Sequence, residues 1–169
     1  MIIGVMSDSH DNLEAVSAAL AIFRNENVEA LIHLGDIISP FMFMRIVEFP
    51  TRIIALLGNN DGDVLSLREI ALKAGATVRQ NVHSISIGNR KILLIHGFGA
   101  ADQTKEIVDS ISLSGSYDAI FYGHTHRVDA HFSNKTLVLN PGEVCGYITG
   151  RRSIAIVDTL TMNYRIIEF

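Results

Sequence analysis

Apolar residues along this chain fall into short runs that stop abruptly at Gly, Asp, Asn or His. Ile2-Ile3-Gly4-Val5-Met6, Ala30-Leu31-Ile32-His33-Leu34, Ile53 to Leu57, Ile92 to Ile95 and Ala119 to Tyr122 each have the length of a strand. Between the early runs the period becomes helical: Leu13, Val16, Ala19, Leu20 and Phe23 repeat on one face until Asn25-Glu26-Asn27 breaks the pattern. Asp11 is expected as the N-cap of this helix, with Glu14 completing a capping box. Phe41 to Phe49 predicts a short helix, although its Met and Phe content also fits a loop packed on the core. Asp63 to Lys73 predicts a helix closed by Gly75 as C-cap, and Asp102 to Leu113 predicts a further one.

His83 to Ile87 and Lys91 to Ile95, joined by Gly88-Asn89-Arg90, predict a hairpin. Later the helical period disappears. His131-Phe132, Leu137 to Leu139, Ser153 to Val157 and Tyr164 to Ile167 read as short strands separated by Asn, Gly, Pro and Thr turns. The opening order of strand, helix, strand favours a parallel pair with a right-handed crossover. Alternation followed by strands alone predicts an α/β (α+β) chain, a mixed sheet packed on a second sheet with helices outside.

Composition narrows the chemistry. At 169 residues the chain is long enough for one domain with a substantial core, and 48% hydrophobic residues give no sign of disorder. A formal charge of -4 supplies no general reason to bind nucleic acid. Cys145 is the only cysteine, which excludes an internal disulfide and a thiolate zinc cluster. No apolar run approaches ~20 residues, and no charged leader precedes the first strand, so membrane insertion and export are not expected and a cytoplasmic location is. A homo-oligomer is compatible with the sequence.

The candidate chemistry stands where the apolar runs end. Asp8 and His10 follow the first run, Gly35-Asp36 the second, Gly58-Asn59-Asn60-Asp61 the third, His96-Gly97 the fourth and Gly123-His124-Thr125-His126 the fifth. In extended backbone, residues i and i+2 point to one side, so His124 and His126 are expected to aim at one point. Loops at the carboxyl ends of strands converge in open α/β sheets. The side chains of Asp8, His10, Asp36, Asn59, His96, His124 and His126 could therefore meet. They form an oxygen and nitrogen donor set suited to Mn, Fe, Zn, Ni or Co. Seven donors exceed the need of one ion, so two are expected. The +4 of two divalent cations against the -2 of Asp8 and Asp36 leaves room for a hydroxide and an anionic phosphate ester. Cations about 3.5 to 4 Å apart can activate a shared water for in-line attack on phosphorus.

In that order these five motifs resemble the calcineurin-like metallophosphoesterases, and with Asn140-Pro141-Gly142 the compact bacterial and archaeal phosphodiesterase branch. The resemblance covers essentially the whole chain. It implies one metallophosphoesterase domain over residues 1–169, a four-layer α/β/β/α sandwich of two mixed sheets flanked by helices, and a metal-dependent phosphodiesterase with a bridging hydroxide nucleophile. Its implied cofactors are two divalent metal ions, manganese first, with nickel, iron, zinc or cobalt as alternatives. Asp8, His10, Asp36 and His126 would hold one, and Asp36, Asn59, His96 and His124 the other. The implied partner is a small-molecule phosphodiester substrate, with no membrane and no general nucleic-acid binding.

Two departures stand out. Asn60 occupies the position where many relatives have a histidine beside the leaving oxygen; it can donate a hydrogen bond but cannot act as a general acid. Glu143 stands where relatives often have a small residue, and is expected either to modulate access or to sit at the surface. His96, His124 and Asn60 are the expected catalytic residues. Outside the motifs, His83 and His131 read as ordinary structural residues, His33 as a core or ligand-orienting one, and Asp61 and Asp63 as cap and loop organisers. The alternative function is a non-catalytic interaction scaffold, as in the small retromer subunit, which has the same fold with an impaired metal site. A nucleotide-binding module fits poorly, because Ser7-Asp8-Ser9-His10 replaces a Gly-rich phosphate loop.

Overall fold

Strands that are apolar at every position need cover on both faces, and here two sheets stacked between helices supply it. The computed structural model describes residues 1–169. In chain order the elements are β1 (Ile2–Met6), α1 (Leu13–Asn25), β2 (Ala30–His33), α2 (Pro40–Val47), β3 (Arg52–Leu56), α3 (Val64–Ala74), β4 (Thr77–Arg79) and β5 (Val82–Ile87). They continue with β6 (Arg90–Ile95), α4 (Ala101–Ser112), β7 (Ala119–Tyr122), β8 (Val128–Ser133), β9 (Thr136–Pro141), β10 (Ser153–Asp158) and β11 (Tyr164–Glu168).

One sheet has the order β11-β10-β1-β2-β3-β4 and the other β5-β6-β7-β9-β8. In the first, β1 to β4 run parallel and β10 pairs antiparallel with β1. In the second, β6, β7 and β9 are parallel and the edges β5 and β8 antiparallel. Both sheets are mixed, as expected, and the opening strand pair is parallel.

Side-chain alternation along each strand divides the core into layers. Ile3, Val5, Ile32, Ile54 and Leu56 face Ile85, Ile92, Leu94, Phe121 and Leu139 between the sheets. Leu31, Ile53 and Ala55 point the other way, under Val16, Leu20 and Phe23 of α1, Phe43 and Ile46 of α2 and Leu67 of α3. Val108 of α4 packs on Ile95, Ile120 and Tyr122 behind the second sheet. The result is the α/β/β/α sandwich. A fully buried side chain of this kind contributes roughly 1.5–3 kcal/mol, so the framework does not depend on the polar loops at its end. No helix is long and apolar enough to cross a membrane.

Local details depart from the sequence reading in instructive ways. Asn12, not Asp11, caps α1, its side chain accepting from Ala15 N. Asp11 is used elsewhere: its Oδ1 accepts from Ser39 N and Oγ, and Ser39 in turn caps α2. Phe41 to Phe49 resolves as the helix Pro40–Val47 with Pro at its first turn, where a missing N–H costs nothing. The α3 expectation holds closely, with Asp63 as N-cap and Gly75 as a left-handed C-cap at φ 68°. The hairpin closes through Gly88 and Asn89 alone, both at positive φ, since Ile87 pairs with Arg90. The three-residue strand β4 was not anticipated.

Candidate metal centre

Five parallel strands, β1, β2 and β3 of one sheet with β6 and β7 of the other, release their chains at the same end of the sandwich. Each of the five exits carries one or two of the predicted donors. Asp8 Oδ1 lies 3.5 Å from His126 Nε2, and His10 Nε2 lies 3.4 Å from Asp36 Oδ2. Ligand atoms of Asp8, His10, Asp36 and His126 all lie within 4.8 Å of one another. On the other side of Asp36, His96 Nε2 stands 3.4 Å from Oδ1 and 3.0 Å from Asn59 Oδ1. The His124 ring meets His96 edge-on, with centroids 5.2 Å apart. All seven predicted donors are thus brought together.

The expected aim of His124 and His126 at one point is corrected. Both have left-handed backbone, at φ 68° and 60°, so the alternation of an extended strand does not apply. His126 turns toward Asp8, and its ring stacks on His10. His124 turns toward His96. Asp8, His10 and Asp36 are also left-handed, at φ 53°, 41° and 59°. Positive φ is uncommon for such residues, and its concentration at five donors is the strain signature of a functional site.

Hydrogen bonds to the loops hold these conformations. Asp61, 8% exposed, accepts from four backbone N–H groups: Asp36 and Gly58 on Oδ2, Ile37 and Ile38 on Oδ1. One carboxylate therefore ties the β2 exit to the β3 exit. Asp61→Ala leaves those donors unanswered, and a loss of about 2–4 kcal/mol of stability is expected. Denaturant titration checks it; a change within the range of a surface substitution would refute this role for Asp61. Gly58 is needed for space, because a Cβ there would collide with the Asp36 carboxylate.

His33 works in the same layer. Its Nδ1 accepts from Gly35 N, so the neutral ring carries its proton on Nε2 and donates it to Ser9 Oγ. Burial, with the charge of His96 second, lowers its pKa to about 3, which keeps it neutral. The β1 and β2 exits are joined through this ring.

The ring tautomers follow from similar contacts. His96 donates from Nδ1 to Leu34 O at 2.8 Å, leaving Nε2 toward Asp36 and Asn59. His124 donates from Nε2 to Gly99 O at 2.7 Å, leaving Nδ1 as its ligand atom. His126 donates from Nδ1 to Glu143 Oε2 at 2.7 Å, leaving Nε2 for the site. In each case one nitrogen is anchored and the other is free for a cation.

Whether these residues fit a cation can be judged from their own chemistry. Asp8 Oδ1 and His10 Nε2 are buried without a well-formed hydrogen bond, which needs an explanation in an otherwise satisfied interior. At His96 Nε2 two oxygens converge, a geometry that requires a proton or a metal between them. Burial raises the Asp8 pKa against the charges of His96 and His126. Asp36 behaves oppositely: burial would raise it, but contacts from His10 and His96, the His96 charge and the Asn60 N–H hold it well below the usual carboxylate range. His10 is raised, chiefly by Asp36. Burial works against protonation of His96, but Asp36 and Asp8 outweigh it and raise it too. Protons thus gather where a divalent ion would bind, and metal uptake would displace them. The donors fit.

Glu143 is the residue whose place the sequence misjudged. It is neither at the surface nor at an entrance; it is fully buried. Burial alone would raise its pKa, but hydrogen bonds from Thr149, Cys145 and His126 hold it at about 2. Its burial was signalled only by its place between the buried strand β9, one glycine before it, and apolar Val144 and Cys145; its partner was not signalled at all. Cys145 is a packed residue, as expected, its thiol pushed up to about 12 by burial and by Glu143. His126, Glu143 and Cys145 form a second group of ligand type, but the Glu143 oxygens already accept from Ile148 and Thr149 as well as from His126 and Cys145. We read that group as support for His126. Asn60, exposed at the rim, donates from N to Asp36 Oδ1 and from Nδ2 to Asp36 Oδ2. His83 lies on β5 opposite Leu94 and makes none of these hydrogen bonds, and His131 binds Asp129 on β8.

Two stacked mixed sheets with Asp, Asn and His donors gathered at their common strand ends define a class of metal-binding α/β/β/α sandwich. The chain belongs to the calcineurin-like phosphoesterase superfamily, whose domain model matches residues 1–162. Phosphodiesterase MJ0936 of Methanocaldococcus jannaschii is 38% identical over 166 residues, covering 98% of this chain and 97% of that protein. A solved structure described as a novel archaeal phosphodiesterase superposes with a TM-score of 0.91 at 37% identity, covering 100% of both chains. Vps29 of Chaetomium thermophilum shares the fold at a TM-score of 0.70 and 13% identity, over 100% of this chain and 93% of its own.

Proposed function

We propose that this chain, residues 1–169 as one domain, hydrolyses small-molecule phosphodiesters with two divalent metal ions. One observation carries the reading: the Asp36 carboxylate lies between two imidazoles, Oδ2 facing His10 and Oδ1 facing His96, each at 3.4 Å. A carboxylate so placed suits a bridge. Asp8, His10, Asp36 and His126 would hold one ion, and Asp36, Asn59, His96 and His124 the other. When bound, such ions supply Lewis-acid stabilisation of the phosphoryl oxygens and a water acidic enough to attack at neutral pH. The donor set carries no thiolate, and manganese is the first cation to test.

The remaining work falls to the chain itself. Asp61, His33 and the anchored ring nitrogens fix the donors in advance, so little reorganisation is left for the reaction. Asn60 uses one Nδ2 hydrogen on Asp36, and its second is the one available to a leaving oxygen. An amide can steady that oxygen but cannot protonate it, so good leaving groups, aryl or cyclic diesters, are favoured over simple alkyl phosphates. The related archaeal phosphodiesterase, at 37% identity over the whole chain, supports a phosphodiester as substrate.

The test is hydrolysis of bis(p-nitrophenyl) phosphate by protein stripped with a chelator and reloaded with Mn(II), Ni(II), Zn(II) or Co(II) separately. Activity should vanish on stripping and return with Mn(II), with monoesters turned over more slowly. A protein that binds two ions, hydrolyses no phosphoester and co-purifies with a fixed partner would instead be a scaffold.

A further inference from the structure

Glu143 sits at a junction that the metal donors alone do not explain. Its Oε2 accepts from His126 Nδ1 at 2.7 Å and from Cys145 Sγ at 3.1 Å. Its Oε1 accepts from Thr149 N at 2.6 Å, Thr149 Oγ1 at 2.7 Å and Ile148 N at 3.1 Å. Ile148 N also reaches Oε2, at 3.2 Å, so the oxygen that serves the imidazole facing Asp8 shares a loop amide with Oε1, and both hold the loop between Gly146 and Gly150. That loop turns at two glycines with φ 71° and 74°, and displays Tyr147 and Ile148 at 63% and 71% exposure. Its stem is fastened to the β1 exit, where Val144 N donates to Ser7 O, Cys145 N to Asp8 O, and Asn12 Nδ2 to Cys145 O. His126 and Thr149 also line one cavity of about 310 Å³ together with Arg127 and Arg151.

We propose that Glu143 is a positioning residue that aims His126 Nε2 into the Asp8, His10 and Asp36 site and couples occupation of that site to the order of the Tyr147-Ile148 loop. The inference rests on the two-metal reading above and adds to it a named link between one metal site and one surface loop. The physical reason is shared rigidity. A carboxylate held by five donors has no rotamer to spare, so the ring it grips cannot swing without disturbing the loop amides on the same carboxylate. A cation fixing the ring fixes the loop, and a loosened loop frees the ring. Carboxylate partners of metal-bound imidazoles fix ring orientation in general; the link to the loop is particular to the shared hydrogen bonds of Glu143.

The experiment measures Mn(II) binding to stripped protein by calorimetry, and hydrogen exchange of the peptide spanning 146–150 with and without Mn(II). In the wild type, two ions should bind and Mn(II) should slow exchange in that peptide. In Glu143→Gln one of the two affinities should fall about 10- to 100-fold, the range found for such partners, while Mn(II) no longer slows loop exchange. Should that variant fail to fold, Thr149→Val keeps the carboxylate and His126 but removes one donor; exchange should rise and the same affinity fall about 3-fold. Loop exchange that rises in either variant while both affinities stay at wild-type values makes Glu143 a loop anchor only, and overturns the proposal. A wild-type protein that binds no second ion overturns the two-metal reading instead, so the two failures are distinguishable.

Discussion

Asp36→Asn should bind fewer than two Mn(II) ions and hydrolyse an aryl phosphodiester roughly 10³-fold or more slowly, equivalent to about 4 kcal/mol of barrier. The substitution is nearly isosteric, and Asn60 N can still donate to Oδ1, although Asn60 Nδ2 loses its acceptor and must turn away. The main loss is charge. Asp36 is the only carboxylate placed against both imidazole sets, and its native surroundings favour the ionised form. With an amide there, each cluster loses its shared anion. The side chain carries none of the sandwich's apolar packing, so the variant should fold; circular dichroism and metal stoichiometry read together separate loss of site from loss of structure. Two tightly bound ions and near-normal turnover in Asp36→Asn would falsify the bridge.

Asn60→His should raise hydrolysis of an alkyl phosphodiester by about 10²-fold relative to an aryl one, the low end of what a positioned acid contributes. Asn60 stands at the rim of the site with its backbone N–H on Asp36. A histidine there keeps that backbone bond and adds a group that can give up a proton. The aryl ester, whose leaving oxygen needs no proton, should gain little or even lose, because the Nδ2 bond to Asp36 Oδ2 disappears. The measurement is kcat/KM for paired substrates under one Mn(II) loading. Equal rates on alkyl and aryl diesters in the unaltered protein would remove the premise.

Much of the site was legible because the signals were local. Each donor follows an apolar run, and a buried strand must surface somewhere, so Asp8, Asp36, Asn59, His96 and His124 mark strand ends by composition alone. Helix α3 was readable at both ends, where the Asp63 carboxylate and the left-handed backbone open to Gly75 each make a cap with no distant partner. The α1 cap was not. Asp11 and Asn12 are equally good caps in isolation, and the choice was made by Ser39, a residue from another loop that claims Asp11. The same limit hid Glu143, since nothing near it in sequence says that His126 lies across β8 and β9 with an unanswered Nδ1.

The sequence by itself determined the strand and helix order, the donor set and its place at the strand ends, because periodicity and residue chemistry act within a few positions of the chain. Only the tertiary structure decided which imidazole faces which oxygen. That depends on left-handed backbone at Asp8, His10, Asp36, His124 and His126, and on partners from elsewhere in the chain, Asp61 on the Asp36 N–H and Leu34, Gly99 and Glu143 on the rings of His96, His124 and His126. Those conformations are costly in a free chain and persist only where packed neighbours from both sheets supply the hydrogen bonds that over-determine them.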